Sequence, residues 1–334
     1  MVSPVSAIMA LSMLANGADG RTLEQMEGML GMPVGQLNEY LYNYAKNLPN
    51  GEGYKLDMAN SVWLIPGIEA GKDFLQNNDR YYGAEVFRRI FNCQTVDEIN
   101  QWVKDKTDGM INKMIDVLDP STVMCLINAI AFDAKWKEIY YKEDVSTGEF
   151  NAPSGKKMAE FMYSKEKLYL DDGLATGFIK PYENGYSFVA LLPNEGVSLD
   201  EYVKGLTGER FLKIIENSQQ EPVYTYLPKF NFSCTVVLNG VLQSLGMKDA
   251  FSSKDADFSK IGKLDNGNIY VDTVLHKTRI IVNEGGTSAA AATIITGLGS
   301  SWVKKTVRLD RPFVFAIIEN ESKLPVFIGT VMEP

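Results

Sequence analysis

Residues 123–132 are apolar except for Asn128. The run is far shorter than the ~18–20 residues of a membrane span. It reads instead as a strand buried on both faces. A strand of that kind needs cover above and below, so the chain must fold in layers around it. Helical patterns come before it. Residues 5–16 have helical apolar spacing and run into the turn Gly17-Ala18-Asp19-Gly20. Thr22-Leu23-Glu24-Gln25 and Thr95-Val96-Asp97-Glu98 have the form of capping boxes, each opening a helix. Pro33 suits the first turn of a further helix to about Lys46, and residues 56–64 read as a strand. After the apolar run strands dominate, at 186–192, 223–230 and 278–283, with short helices near 199–203 and 208–216. Residues 313–319 and 326–332, joined across Asn320-Glu321-Ser322-Lys323, predict a closing hairpin. No repeat or linker divides the chain, which reads as one α+β domain with large sheets.

Composition removes several functions. With 33 Lys and Arg against 42 Asp and Glu, the net charge is −9, and no basic cluster stands out. That argues against nucleic acid, polyanionic sugars and anionic membranes as partners. Cys93, Cys125 and Cys234 are too few and too far apart for a disulfide framework or a CxxC metal site. They read as small buried hydrophobes. His276 is the sole histidine. A Ser-His-Asp or Cys-His enzyme would have to use it, and a His-based zinc site would lack a second imidazole. The SxxK patterns at Ser154, Ser164 and Ser301 have neither SDN nor KTG beside them. No nucleotide-binding motif occurs, so neither cofactor nor metal is expected. No signal peptide is visible before Ser3-Pro4.

Between Glu284 and Arg308 the periodic pattern breaks down. Gly285-Gly286-Thr287-Ser288 leads into Ala289-Ala290-Ala291-Ala292-Thr293, then Ile294-Ile295-Thr296-Gly297-Leu298-Gly299-Ser300-Ser301. Alanines favour helix, but the flanking glycines leave too little length for a stable one. A loop this long inside a compact domain is usually functional or disordered. Thr287, Ala289, Ala291, Thr293 and Ile295 would share one face if the segment became a strand. Such small side chains could slip into an existing sheet, the glycines taking up the hinge rotation. On these residues alone, a flexible linker remains the competing reading.

The wider pattern resembles the serpins. The hinge Val282-Asn283-Glu284-Gly285-Gly286-Thr287-Ser288-Ala289-Ala290-Ala291-Ala292-Thr293 is similar to the family's inhibitory hinge. Asp310-Arg311-Pro312-Phe313-Val314-Phe315 and Phe327-Ile328-Gly329 resemble its C-terminal signature. Ser3-Pro4-Val5-Ser6, Asn100-Gln101-Trp102-Val103 with Thr107-Asp108-Gly109, and Asn128-Ala129-Ile130-Ala131-Phe132 with Trp136 agree. So do Leu227-Pro228-Lys229-Phe230, Ala256-Asp257-Phe258-Ser259 and His276-Lys277. The chain departs from the family at its front, where a further strand and a long first helix normally precede the Ser-Pro segment.

The resemblance implies a single α+β serpin domain over residues 1–334, N-terminally short, with three β-sheets and about eight or nine helices. Residues 284–308 would be its exposed reactive-centre loop. It implies an inhibitory member of prokaryotic type, not an enzyme: a monomer that traps serine proteases covalently by inserting the cut loop into its main sheet. Counting along the loop from Glu284 to the family's usual cleavage point gives the bond Ser300–Ser301, within a stretch beginning at Leu298. A small residue there suits elastase-like or subtilisin-like proteases. Ser3, Ser6, Asn128 and His276 would form the cluster where the central strands part, with Trp136 packed where the loop enters. Residues 34–48, where a sulfated-polysaccharide site often lies in the family, contain one basic residue, Lys46, so no such cofactor is expected. A secreted or cell-surface location follows from the family alone. Other readings on the same fold are a non-inhibitory binding or chaperone protein and an inhibitor of cysteine proteases.

Overall fold

The computed structural model describes residues 1–51, 54–286 and 305–334. Helix α1 (Pro4–Ala15) starts where proline can sit at no cost in hydrogen bonds, with the Ser3 hydroxyl accepting from the Ser6 N–H at 3.2 Å. Helix α2 (Gly20–Leu30) follows and closes on Gly31 in the left-handed region. The capping box expected at its start is not there. Thr22 already lies inside the helix, and its hydroxyl accepts from the Asp257 N–H, while Gln25 Oε1 accepts from the Lys248 and Asp249 N–H groups. Helix α3 (Val34–Asn47) follows Pro33, and strand β1 spans Tyr54–Leu64. Helix α4 (Lys72–Tyr82) buries only Phe74 and Asn78, too thin an apolar stripe to be read from sequence. After strand β2 (Glu85–Arg88), helix α5 (Cys93–Lys106) begins two residues before the predicted box. Its cap is Asn92, and Thr95 donates its hydroxyl to the Ile90 carbonyl.

Strand β3 (Met124–Ala134) covers the apolar run. Strands β4 (Val145–Ala152), β5 (Gly155–Glu166), β6 (Leu168–Asp171), β7 (Ala175–Pro181) and β8 (Tyr186–Pro193) come next. Short helices α6 (Leu199–Gly205) and α7 (Gly208–Glu216) lead to β9 (Val223–Pro228) and β10 (Phe230–Val237). The single strand expected over 223–230 is therefore two, broken at Lys229. Helix α8 (Asn239–Ser244) and strands β11 (Thr273–Val282), β12 (Lys305–Arg308), β13 (Phe313–Glu319) and β14 (Pro325–Val331) complete the described chain. Eight α-helices and three sheets occur among the described residues. No helix among them is long and apolar enough to cross a membrane.

The sheets run β10-β11-β3-β1-β2, β12-β9-β5-β4 and β14-β13-β8-β7-β6. In the first, β3 pairs antiparallel with β1 and parallel with β11. Its alternating side chains divide between three cores, with Met124 and Leu126 in the one that holds Leu11 and Leu14 of α1. Cys125, Ile127 and Ala129 pack toward Val96, Ile99 and Val103 of α5. Ile130, Phe132 and Ala134 share a core with Val5 and Met9 of α1 and Phe315 and Phe327 of the β13–β14 hairpin. Burial on both faces is why β3 needs an unbroken apolar sequence. The cysteines depart from expectation: only Cys125 is buried, Cys234 is half-buried and Cys93 is exposed at the start of α5.

Candidate functional site

Two groups of predicted residues meet along the β3–β11 pair. In the first, parallel register sets His276 directly opposite Asn128. Both are buried, as are Ser3 and Ser6. The Ser3 N–H donates to His276 Nε2 at 2.9 Å, so that nitrogen accepts and the ring proton sits on Nδ1. Nδ1 is hydrogen-bonded to Asn128 Oδ1. Asn128 Nδ2 in turn donates to Ser6 Oγ and Asn60 Oδ1, each at 2.6 Å. The chain of donors and acceptors closes only with a neutral imidazole, and burial pushes the His276 pKa down from 6.5 to about 4. Asn60 was not foreseen; it enters because β1 pairs with β3 at this same position.

The second group lies where β11 ends. With about 3.3 Å per residue, the six residues from His276 to Val282 put it roughly 20 Å away. Beyond Val282 the chain folds over the end of β3. The Tyr140 N–H donates to the Glu284 carbonyl at 2.9 Å and the Trp136 N–H to the Gly285 carbonyl at 3.0 Å. Trp136 Nε1 donates to the Asn283 carbonyl at 2.8 Å. Gly286 bridges to Lys135 at φ +140°, and a Cβ there would stand 2.2 Å from the Ala134 carbonyl oxygen. Only glycine fits. The Glu284 carboxylate pairs with Lys229 Nζ at 2.5 Å, which also reaches Glu160 at 3.3 Å. Burial pushes the Glu284 carboxyl up, but the Lys229 hydrogen bond and charge outweigh it and hold the group below its ordinary value. Lys229 falls exactly at the break between β9 and β10, which places it against the hinge.

Trp136 is fully buried, stacked on Tyr182 at 4.2 Å between centroids, with Tyr140 and Phe188 edge-on. Glu284, Gly285, Gly286 and Trp136 thus share one place, and Ser3, Ser6, Asn128 and His276 another. Thr287, Ser288, Ala289, Ala290, Ala291, Ala292 and Thr293 lie outside the described residues, as do Ser300, Ser301 and the expected exposure of the loop. Among the described residues no three His, Cys, Asp or Glu side chains are grouped to hold a metal.

A parallel strand pair closed by a buried hydrogen-bond relay, with a glycine hinge laid over its upper end, gives the fold a specific comparison. Residues 1–334 match the family model described as Serpin (serine protease inhibitor). The chain belongs to the serpin family. It is 31% identical to a serpin-like protein of Thermococcus kodakarensis, over 99% of this chain and 80% of that one. Leukocyte elastase inhibitor A of Mus musculus is also 31% identical, over 99% and 92%. Among solved structures, the thermophilic serpin Tengpin in its native state has 49% identity and a TM-score of 0.97, covering 100% of this chain and 88% of its own. Tengpin in its latent state superposes less well, with 47% identity and a TM-score of 0.87 over 99% and 90%. Serpins are generally protease inhibitors rather than enzymes, and the partner kind of this serpin's family is the protease.

Proposed function

We propose that this serpin is a suicide-substrate inhibitor of serine endopeptidases, with elastase-like or subtilisin-like targets and Ser300–Ser301 as the bond attacked. The observation that carries the reading is the junction at the end of β11. There a strand of the main sheet continues into a glycine hinge held by backbone contacts to Lys135, Trp136 and Tyr140, just past the end of β3, and the sequence beyond it is Thr287 followed by small residues. The protease serine attacks the Ser300 carbonyl carbon, the Ser300–Ser301 bond breaks, and Ser301 leaves as a free amine. The acylated loop then enters between β3 and β11 with the protease attached.

Physical limits favour this route. The direct β3–β11 ladder spans only Thr273–Arg279 against Cys125–Ala131, and an inserted strand replaces it with two ladders. About a dozen new bonds at roughly 1 kcal/mol net each match the ~5–15 kcal/mol that holds a typical protease fold together. Bulky or charged side chains at Thr287 and the alanines would forfeit that gain. In this reading the reactive-centre loop starts at Glu284 and ends before Lys305, not at Arg308 as expected, because Lys305–Arg308 form strand β12 against β9, and the His276 relay is the latch that must open.

The test incubates the protein with pancreatic elastase, subtilisin and papain, followed by denaturing gel and intact mass. A detergent-resistant band at the summed mass with elastase or subtilisin, with release of residues 301–334, is expected. Cleavage of the loop without that band by every protease makes this a non-inhibitory serpin with a binding or chaperone role. A band with papain alone moves the target class to cysteine proteases.

A further inference from the structure

A cavity of about 200 Å³ opens where the ends of β5 and β7 meet the segment after Trp136. Its lining includes Lys180, only 2% exposed, whose Nζ donates to Glu166 Oε1 at 2.9 Å. A buried ammonium is costly unless its three donors are matched. That carboxylate oxygen is shared, since the Ser164 hydroxyl donates to it at 2.6 Å. Otherwise the Lys180 charge lies over the Tyr140 ring at 4.3 Å and the Trp136 ring at 5.4 Å. Lys137 and Lys165 are exposed around the same cavity, the Lys165 ammonium lying 5.9 Å from the Tyr224 ring. Neither has a carboxylate at ion-pair distance among the described residues. Lys167 is paired across the rim with Glu138 at 3.9 Å. Four lysines against two glutamates leave the lining two charges positive, while Leu168, Ile179 and Pro181 make an apolar wall.

We infer that this cavity binds a small carboxylate with an apolar body. The carboxylate accepts from Lys137 and faces the under-matched Lys180 ammonium, the exposed Lys165 adds positive charge at the rim, and the body covers Leu168, Ile179 and Pro181. At this volume the site lies below the roughly 300 Å³ where drug-sized pockets begin, so its ligand is of fragment size. A purely polar anion would leave the apolar wall wet. The site is one ring away from the hinge, because the Trp136 indole that lies beneath Lys180 also donates to the Asn283 carbonyl.

Benzoate is the probe, with benzamide as its uncharged counterpart and inorganic phosphate as a purely polar anion. Titration calorimetry and ligand-observed NMR on the full chain should show saturable benzoate binding with Kd on the order of 1 mM. Benzamide and phosphate should bind at least tenfold more weakly. The double variant Lys137→Met with Lys165→Met changes only exposed positions, and its benzoate affinity should fall tenfold or more. Equal binding of benzoate and benzamide, unchanged affinity in the double variant, or no saturation by about 20 mM, leaving a cavity that holds water only, each overturns the assignment. The readout is binding and needs no protease, so it stands apart from the inhibitory reading.

Discussion

Acidification should loosen the central sheet through one residue. His276 is locked neutral, with Nε2 accepting from Ser3 and Nδ1–H facing Asn128. A proton added to Nε2 would point at the Ser3 N–H, two donors facing each other in a site closed to water. The native pKa of about 4 against an ordinary 6.5 means the unfolded chain binds this proton first as pH falls. Stability from His276 is therefore complete above pH 6.5 and lost as pH drops through 4, a total of about 3 kcal/mol. Because the chain has one histidine, its imidazole ¹H and ¹⁵N resonances need no assignment by mutation. NMR titration should show the Nδ1–H tautomer at pH 7 and no protonation until pH falls well below 5. In parallel, the urea midpoint should fall between pH 6.5 and 4, with part of that slope absent in His276→Gln. An imidazole that titrates near 6.5, or one carrying its proton on Nε2, refutes the relay as drawn.

Three further perturbations act on the hinge. Gly286→Ala puts a methyl 2.2 Å from the Ala134 carbonyl oxygen, so the seat must shift; a loss of about 2 kcal/mol or more is expected, together with faster hydrogen exchange at the Trp136 amide. Trp136→Phe keeps most of the stacking on Tyr182 but deletes the 2.8 Å bond to the Asn283 carbonyl. That acceptor then has only the long 3.4 Å bond from the Gly286 N–H, and the urea midpoint should fall by an amount equivalent to about 1 kcal/mol. Thr287→Arg should leave elastase or subtilisin cleavage intact while removing the detergent-resistant band, because a charged side chain cannot enter between β3 and β11 cheaply. If the band persists in that variant, trapping does not depend on strand insertion.

What could be read in the sequence followed from how self-contained each signal was. Strand β3 was legible because both its faces are buried, and the β13–β14 hairpin because its strands are apolar and flank a turn. Strands β4 and β5 were not, since half of their positions are exposed, with Lys156, Lys157 and Glu160 among them, and neither strand has an unbroken apolar run. The capping box at Thr22 misled because its two polar groups bind backbone from a distant part of the chain, near Asp249 and Asp257. Lys180 carries no local mark at all: a lysine before a proline reads as surface until β7 pairs with β8 and buries it against Glu166.

The relay shows the same division more sharply. Asn128 is the one polar residue in an apolar run and His276 the one histidine in the chain, two anomalies with no visible connection in sequence. Register connects them, because β3 and β11 pair in parallel with these residues opposite. Strands in a sheet lie about 4.8 Å apart, so any strand placed between them would hold the two roughly 10 Å apart. The bond between Nδ1 and Oδ1 cannot survive that. Asn128 would keep Ser6 and Asn60, both of which reach it without crossing the β3–β11 seam. The neutral imidazole would keep Ser3 and lose its acceptor. Opening the sheet thus leaves one buried N–H to be satisfied, at a cost of about 1–3 kcal/mol. The incoming strand can return that cost only by presenting a carbonyl or side-chain oxygen at the level of His276.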